Sequence, residues 1–338
     1  MKAFVSINHG FGGAEMQFDK LYADLAARSG ATWDWRYERH DIDRAGWWPT
    51  LRRILRVRRG VVVYNMSVLG IGVAFLILLR LLGNRILLYP HVVVSPAKSR
   101  PRLWLLRMAL QRLSAALSTH VVAISDGNLF ELEAFVQRDK MTVVYNYVDC
   151  ENDRPFEARP LNRAIAVIGR LQDKHKQQLS LVRRHGEFLR ANGLVLHLFG
   201  SGPDEAALRS HVLANGLESH VVFHGWQDEE AIYAHDFSFV LNASRWEGMP
   251  LSVLEALYHD RIVLASDIHG NRELVYGNFL FKDDADLRQL LGSMVRDREV
   301  EPALLAAQKR RLQRRCRKAS ALTTVETLLD RLTGKITA

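Results

Sequence analysis

Cysteine is scarce in this sequence of 338 residues, and the features that mark secreted proteins are missing. Cys150 and Cys316 are too few for a disulfide scaffold or a four-ligand zinc site, and they suit a reducing compartment. Asn8 and His9 interrupt the amino-terminal segment before any long apolar run, so a signal peptide is not expected. The sequence therefore predicts a protein that is not exported and does not depend on disulfides.

Long hydrophobic runs are also lacking. The most apolar one, residues 68–79, stops at Arg80, short of the ~20 residues that a membrane-spanning helix needs. We expect a buried helix here, with membrane insertion as the alternative.

Acidic residues are outnumbered, with 37 Asp and Glu against 46 Lys and Arg, which gives a net charge of +9. The partner is therefore expected to be anionic: a nucleic acid, an anionic membrane or a phosphorylated small molecule. Hydrophobic residues make up 48% and charged residues 25%, which is ordinary for globular proteins and excludes a disordered or fibrous chain.

Short apolar runs alternate with amphipathic stretches along the chain, a pattern typical of parallel α/β layers. A polar segment with two prolines, residues 149–160, separates two such series. We predict two doubly wound parallel-sheet domains, 1–152 and 163–338, joined by a linker at 153–162 and facing a central cleft. The last helix of the second domain can instead pack against the first domain. Strands are expected at 2–7, 61–64, 86–89, 121–124 and 142–145, and then at 164–168, 195–199, 221–223, 237–241 and 262–265.

Three loops carry residues suited to binding an anion. Gly12 and Gly13 follow the first predicted strand and precede a helix, where backbone N–H groups can approach a phosphate; a plain structural turn is the alternative. Arg170 and a nearby lysine follow the first strand of the second half and could neutralise a diphosphate, or could be solvated loop cations.

The third loop runs from Ser244 to Glu255 and holds two carboxylates around a helix start. Pro250 fits the first turn of a helix, and Gly248 frees the backbone before it. Helical side chains lean toward the amino terminus, so Glu247 and Glu255 could reach one polyhydroxyl ligand. Paired carboxylates also occur as plain surface charges.

The segment from Glu247 to Glu255 resembles the E-x7-E signature of retaining GT-B glycosyltransferases, in particular the glycosyltransferase family 4 group. Further motifs resemble that family in order and spacing over nearly the whole chain. They are GGAE at 12–15, VVAIS at 121–125, VVYNYVD at 143–149, IGR at 168–170, LFGSGPDE at 198–205, FHGW at 223–226 and ASDIHGNREL at 265–274.

The resemblance implies the roles of the site residues. Arg170 and a following lysine would bind the donor diphosphate, Glu255 would hold the ribose, and Glu247 would face the transferred sugar. His91 resembles a histidine near the donor sugar, with a structural histidine at a strand end as the alternative. The other implied donor-binding residues are Gly12, Gly13, Gly200, Gly202, Trp226, Gly248, Met249 and Leu251.

Two departures from the family pattern affect this site. The family has Lys five positions after the Arg, where this chain has His175. A one-residue insertion makes Lys176 the equivalent, and Lys174 is the alternative. The small residues expected after the helix of the second glutamate are replaced by the larger ones at 258–261.

The resemblance implies front-face retaining transfer of a hexose or N-acetylhexosamine from a nucleotide-sugar, with a UDP-sugar favoured and GDP-mannose possible. No D-x-D pair follows a predicted strand, so neither a metal nor another cofactor is expected. The rival hypotheses are an inactive GT-B protein that binds an anionic membrane or nucleic acid, and a sugar-nucleotide epimerase.

Two basic segments, residues 47–60 and 98–112, each hold five Lys or Arg and no acid, interleaved with Trp or Leu. Such stretches suit an anionic membrane surface, and solvated helix faces are the alternative. We therefore expect a lipid-linked, lipopolysaccharide or other surface-polysaccharide acceptor, a cytoplasmic location on the inner face of the membrane, and no nucleic-acid partner. The predicted patch consists of Arg52, Arg53, Arg56, Arg58, Arg59, Lys98, Arg100 and Arg102.

Overall fold

A computed structural model describes residues 2–8, 13–32, 34–41, 47–66, 69–90, 101–148, 155–297 and 301–335. The chain forms two compact units: unit 1 is 1–147 together with 316–338, and unit 2 is 148–315. Within the described ranges, no helix is both long enough and apolar enough to cross a bilayer. The predicted linker lies partly outside these ranges, and its boundaries stay a prediction.

Unit 1 is built on a six-stranded parallel sheet in the order β2-β1-β3-β4-β5-β6. Its strands are β1 (Lys2–Asn8), β2 (Arg36–Asp41), β3 (Val61–Met66), β4 (Arg85–Pro90), β5 (His120–Ala123) and β6 (Met141–Val143). The helices that connect them are α1 (Gly13–Ser29), α2 (Trp47–Ile54), α3 (Leu69–Leu81), α4 (Pro101–Leu117) and α5 (Asp126–Leu132).

The core of unit 1 forms because its central strands are apolar on both faces, as expected where helices cover a parallel sheet. Val62 and Tyr64 of β3 are fully buried, and Leu76 and Leu79 of α3 pack in the same cluster. From Leu69 onward the hydrophobic run is therefore a buried helix, as the sequence predicted.

Strand β2 was not predicted, because its sequence RYERHD has no apolar run. Among the strands that the structure describes, it pairs only with β1, at the edge of the sheet, where charged residues are tolerated. Tyr37 gains a partner by donating a hydrogen bond to Asp19 of α1, and Arg39 lies 2.9 Å from the same carboxylate. These contacts with α1 hold strand β2 in place, and the local sequence of β2 cannot reveal them.

Unit 2 repeats the architecture, with a parallel sheet in the order β12-β11-β10-β7-β8-β9. Its strands are β7 (Ala164–Ile168), β8 (Val195–Phe199), β9 (Val221–Gly225), β10 (Phe239–Asn242), β11 (Ile262–Ser266) and β12 (Leu280–Phe281). Its helices are α6 (Asp173–Lys176), α7 (Gln178–Ala191), α8 (Glu205–Ala214), α9 (Glu229–Ala234), α10 (Leu251–Tyr258), α11 (His269–Arg272), α12 (Asp284–Asp297) and α13 (Pro302–Arg315).

Two strands of unit 2 differ from the prediction. β10 begins at Phe239 rather than at 237, because the Ser238 N–H donates to Asn162 Oδ1 at 3.0 Å instead of joining the sheet. β12 is only two residues long, too short for a recognisable pattern. The other four strands of this sheet lie where the apolar runs predicted them, within two residues at either end.

The final helix, α14 (Lys318–Thr333), packs in unit 1 although it follows unit 2 in the chain. Arg28 of α1 donates to Thr323 Oγ1 at 3.0 Å, and the Lys318 ammonium lies 2.6 Å from Asp24. Val325 is fully buried.

Candidate functional site

Loops that follow adjacent strands of unit 2 meet at the carboxyl edge of its sheet, where parallel α/β sheets bind ligands. Gly200 follows β8 with φ +132°, and a Cβ there would lie 2.2 Å from the Gly169 carbonyl oxygen after β7. A Cβ on Gly202 would lie 2.3 Å from the carbonyl oxygen of Leu171. Both positions therefore require glycine for close approach of the two loops.

The loop after β7 is held in place by carboxylates. The Asp173 carboxylate accepts hydrogen bonds from the Ser180 N–H at 2.7 Å and the Ser180 hydroxyl at 2.6 Å. The Asp173 N–H donates to Asp204 Oδ2 at 2.7 Å. Gln177, between α6 and α7, adopts φ 59°, a left-handed conformation in which glycine is usual. The short helix α6 and its three basic residues are thereby fixed above the sheet edge.

Lys176, at the end of α6, reaches the loop after β10 and binds Glu247. Its ammonium lies 2.5 Å from Glu247 Oε1, and both side chains are largely buried, with 18% and 10% of their surface exposed. A Cβ on Gly169 would touch the Lys176 side chain at 3.5 Å, so this lysine lies over the end of β7. Lys174 is exposed at the surface of the same helix.

Burial alone would raise the pKa of the Glu247 carboxyl, because a charge loses hydration there. The positive charge of Lys176, then His175 and the hydrogen bonds from Lys176 and Ser244, outweigh that effect and hold the pKa below its usual range. Glu247 is therefore an anion with fixed donors around it.

His175 is a further part of this site that the sequence analysis did not assign a role. Its ring stacks on Trp246, with centroids 4.9 Å apart and planes 7° from parallel. Its Nε2 lies 2.7 Å from the Trp246 carbonyl oxygen and 3.8 Å from Glu247 Oε1. The Arg245 N–H donates to the His175 carbonyl oxygen at 2.9 Å. These contacts bind the loop after β7 to the one that carries Glu247.

The loop after β11 supports Glu247 from the other side. A Cβ on Gly270 would lie 2.6 Å from the Glu247 carbonyl oxygen. The Ser266 hydroxyl donates to the Ser244 carbonyl oxygen at 2.6 Å, and the buried Asn271 amide donates to the Ser266 carbonyl oxygen at 2.9 Å. In the sequence, these residues stand out only through their place in the ASDIHGNREL motif.

Arg170 directly follows Gly169 and is exposed. Among the described residues, its guanidinium makes no hydrogen bond or ion pair, so its five donors face solvent. Arg170 therefore offers a guanidinium without a protein partner in the same loop that carries Lys176.

Helix α10 begins at Leu251, after Pro250 as its N-cap, with Met249 buried before it. Glu255 lies in the second turn of this helix and is half-buried. Burial and then the charge of Glu255 raise the pKa of Tyr233, which lies on α9. Gly248, half-buried, directly follows Glu247 in the loop.

Trp226 follows β9 and exposes 65% of its surface at the same edge of the sheet. Gly225 before it accepts a hydrogen bond from the Gly200 N–H at 2.6 Å, which joins the ends of β9 and β8. An exposed indole on a fixed strand end offers a surface on which a flat ring can stack.

Unit 1 holds the remaining predicted site residues. Gly13 begins α1, directly after the segment that follows β1. Gly12 and His91 lie outside the described residues, so their predicted roles stay predictions.

The predicted basic patch is partly described. Arg52 and Arg53 are exposed on α2, and the Arg52 guanidinium lies 5.5 Å from the ring centroid of the exposed Trp48. On α4, Leu105 and Leu106 are exposed. Arg56, Arg58 and Arg59 are exposed, the backbone of Arg102 lies in α4, and Lys98 and Arg100 lie outside the described residues.

The structure adds one fact to the prediction on D-x-D pairs, which concerned the predicted strands alone. Because β2 ends at Asp41, the triplet Asp41-Ile42-Asp43 does follow a strand, one that the sequence did not reveal. Asp43 lies outside the described residues. Within the ranges that are described, no three His, Cys, Asp or Glu side chains cluster as a metal site would need. Metal independence stays a prediction.

Comparison with known proteins matches both halves of the chain to glycosyltransferase families. Residues 12–152 match the model described as Glycosyltransferase Family 4, and residues 162–297 match Glycosyl transferases group 1. A curated relative, the lipopolysaccharide 1,6-galactosyltransferase of Salmonella typhimurium, is 25% identical over 166 residues. That match covers 46% of this chain and 45% of the relative, somewhat less than half of its length.

Solved structures share the fold over the whole chain. Anabaena HepE, solved in complex with UDP-glucose, superposes with a TM-score of 0.77 at 15% identity, covering 98% of this chain and 100% of that one. The apo form of the lipopolysaccharide outer core galactosyltransferase WaaB superposes with a TM-score of 0.62 at 16% identity, covering 99% and 100%. The two parallel-sheet units are those of the GT-B fold, as the sequence predicted.

Proposed function

We propose that unit 2 binds a nucleoside-diphosphate sugar and that the chain transfers the sugar with retention of configuration. Two matches to glycosyltransferase families and the GT-B fold support this proposal. One observation carries the proposal. Arg170, Lys176 and Glu247 follow the neighbouring strands β7 and β10, and Lys176 bonds to Glu247 at 2.5 Å. Arg170 and Lys176 would thus bind the diphosphate, and Glu247 would bind the sugar.

The proposed reaction is a front-face displacement. The bond between the anomeric carbon and the diphosphate oxygen breaks, and the acceptor hydroxyl oxygen bonds to the anomeric carbon on the same face. The departing phosphate oxygen takes the hydroxyl proton, so the products are the glycoside and the nucleoside diphosphate.

Charge that develops on the departing diphosphate needs fixed donors. Arg170 presents an unoccupied guanidinium fork, which suits phosphate oxygens. The Lys176 ammonium has three donors, and its bond to Glu247 leaves others for the diphosphate. Glu247, kept ionised, would accept hydrogen bonds from sugar hydroxyls, and Glu255 would accept them from the ribose.

A UDP-sugar is the donor that we favour, and GDP-mannose is the second candidate. HepE, which shares the fold, was solved with UDP-glucose. The indole of Trp226, which is exposed, would offer a flat ring on which a base stacks.

The proposed acceptor is a lipid-linked or lipopolysaccharide saccharide, reached at an anionic membrane surface. The two galactosyltransferases that this chain resembles are described as acting on lipopolysaccharide or its outer core. The exposed cations, indole and leucines of α2 and α4 supply the combination of charge and apolar surface that binds such a membrane.

A donor screen tests the proposal. The purified chain is incubated with UDP-glucose, UDP-galactose, UDP-N-acetylglucosamine and GDP-mannose, with and without rough lipopolysaccharide, and nucleotide release is followed. We expect release from one donor, stimulated by the acceptor, unchanged by a chelator, and an α-linked product from an α-linked donor. A chain that releases no nucleotide from any donor and binds none of them contradicts the proposal. A β-linked product contradicts retention, and inhibition by the chelator contradicts metal independence.

A further inference from the structure

His175 lies in the candidate site, but the proposed transfer gives it no role. It occupies the position at which this sequence departs from the family pattern, directly before Lys176. The Lys176 ammonium lies 2.5 Å from Glu247 Oε1, and His175 Nε2 lies 3.8 Å from the same oxygen. One carboxylate oxygen therefore has a lysine and a titratable ring beside it.

The hydrogen bond of His175 shows where a further proton would bind. Its Nε2 lies 2.7 Å from the Trp246 carbonyl oxygen. Because a carbonyl oxygen can only accept, Nε2 carries the hydrogen of the neutral ring and Nδ1 is the nitrogen that takes up a proton. The ring also stacks on the Trp246 indole, with planes 7° from parallel. Protonation can therefore place a positive charge near Glu247 without moving the ring.

The other charged side chains near His175 do not replace this charge. Asp173, on the same helix, is bound by the Ser180 N–H and hydroxyl, at 2.7 and 2.6 Å. The cations of the two loops that His175 joins are exposed, and they are Arg170, Lys174 and Arg245. In the loop after β11, Asp267 is bound to Arg272 at 2.6 Å, and His269 is exposed. Glu247 is thus the anion that depends on Lys176 and His175.

The proposed donor changes the balance of charge around Glu247. In the free site Lys176 compensates this carboxylate, whose side chain is only 10% exposed. A bound nucleotide-sugar would bring one negative charge on each phosphate to Arg170 and Lys176, so Lys176 would serve two anions at once. Added negative charge favours the protonated form of a nearby titratable group. An imidazole titrates at pH ~6.5 in water, so such a change falls near neutral pH.

We propose that His175 is a second counter-charge for Glu247, which takes up a proton when the donor diphosphate binds Arg170 and Lys176. This inference rests on the proposed function. The proton comes from the solution, binds Nδ1 and returns to the solution when the nucleoside diphosphate leaves. The imidazolium keeps Glu247 ionised in the donor complex, where the carboxylate accepts hydrogen bonds from the sugar. Donor binding is therefore tighter at lower pH and weakens as the pH rises.

Calorimetric titration of the full chain with UDP-glucose measures this proton directly. The diphosphate of UDP-glucose has no group that titrates near neutral pH, so the ligand itself neither takes up nor releases a proton. UDP-galactose, UDP-N-acetylglucosamine and GDP-mannose are the further probes. The binding heat is measured at pH 7.5 in Pipes, Hepes and Tris, and its slope against the ionisation enthalpy of the buffer gives the protons taken up. We expect ~0.3–0.5 proton per donor, and a roughly threefold loss of affinity between pH 7.0 and 8.5.

Variants assign the proton to His175. His175→Gln keeps an N–H for the Trp246 carbonyl oxygen but cannot be protonated, so proton uptake should fall below ~0.1 and the affinity should not change with pH. His175→Lys supplies a fixed charge, so it should also take up no proton, and at pH 8.5 it should bind the donor more tightly than His175→Gln. The control is His220→Gln. His220 is half-buried and directly precedes β9, at the other edge of the sheet, so this variant should keep the native uptake.

Nuclear magnetic resonance of the native chain gives a second readout. With carbon-13-labelled histidine at pH 7.5, UDP-glucose should shift one imidazole toward the protonated form. The His175→Gln spectrum, or that of His175→Lys if the glutamine variant does not fold, identifies this ring by its absence.

Donor binding by the native chain without proton uptake would overturn the inference. Uptake that persists in folded His175→Gln or His175→Lys would also overturn it, and would assign the proton to another group such as Glu247. A chain that binds none of the four nucleotide-sugars contradicts the proposed function itself. Binding and turnover without proton uptake contradict only the role of His175.

Discussion

Replacing Lys176 by methionine removes the charge that compensates a nearly buried carboxylate. The Lys176 ammonium lies 2.5 Å from Glu247 Oε1, and the carboxylate side chain is 10% exposed. His175 Nε2 lies 3.8 Å from the same oxygen and is the nearest other titratable nitrogen that the described residues offer. Lys176→Met keeps the length of the side chain, so the main change is the loss of the ion pair.

The expected cost follows from burial. Breaking a fully buried pair by removing one partner costs roughly 3–5 kcal/mol, and partial solvation of this pair reduces that to about 2–3 kcal/mol at neutral pH. For a unit of this size, such a loss lowers the unfolding temperature by about 5–10 °C.

The cost must also depend on pH. In the native chain the pKa of Glu247 is below its usual range, so its ionised form stabilises the fold above pH ~4 and that contribution is lost as the pH falls through the depressed pKa. Without Lys176, burial raises the pKa of Glu247, and the carboxyl is neutralised more readily. The difference in stability between native chain and variant should therefore be largest near pH 7.5 and shrink toward pH 4.5.

Thermal unfolding of the native chain, Lys176→Met and Lys174→Met across pH 4.5 to 7.5 measures this. Lys174 is exposed on the same short helix, so Lys174→Met should change stability by less than ~0.5 kcal/mol. Equal unfolding temperatures for the two variants at pH 7.5, or a Lys176→Met penalty that does not change with pH, would refute the argument from burial.

Three further outcomes are expected. Gly200→Ala should destabilise the chain by ~3 kcal/mol in denaturant unfolding, because the φ of Gly200 is +132° and a Cβ would lie 2.2 Å from the Gly169 carbonyl oxygen. The control Gly216→Ala, at φ +60° with open space around it, should lose no more than ~1 kcal/mol of stability. Equal losses in the two variants would contradict the close approach of the loops at Gly200. Glu255→Gln should weaken UDP binding at least tenfold by calorimetry, since a hydrogen bond to a charged group contributes ~1.5–3 kcal/mol, whereas the exposed Glu218→Gln should not. Replacing the five basic-patch arginines by glutamine should reduce cosedimentation with anionic liposomes at low salt, at ~1 kcal/mol per residue, and unchanged sedimentation would contradict membrane binding. The residues replaced are Arg52, Arg53, Arg56, Arg58 and Arg59.

The fold was largely predictable because the buried strands of parallel sheets are continuous apolar runs. Strand β7 and strand β8 lie where such runs occur. Strand β2 escaped prediction because its partners lie on β1 and α1, and its own residues are polar. A local pattern cannot report contacts made across the sheet.

The sequence predicted which residues form the candidate site, but it did not predict which of them contact each other. The family resemblance offered Lys176 as the diphosphate lysine, with Lys174 as the alternative, and that role stays a prediction; the contact between Lys176 and Glu247 was not predicted. Nothing local indicated that His175 would stack on Trp246, since 71 residues separate the two. The need for glycine at position 270 was likewise hidden, because it arises from the Glu247 carbonyl oxygen in another loop.

The turnover of the preferred nucleotide-sugar by Arg170→Ala and Lys174→Ala tests the central claim most directly. If the guanidinium of Arg170 stabilises the departing diphosphate, Arg170→Ala should lower kcat/KM by ~30- to 150-fold, which corresponds to ~2–3 kcal/mol. Lys174→Ala should stay within twofold of the native chain. Loss of turnover in Lys174→Ala with normal turnover in Arg170→Ala would contradict the account.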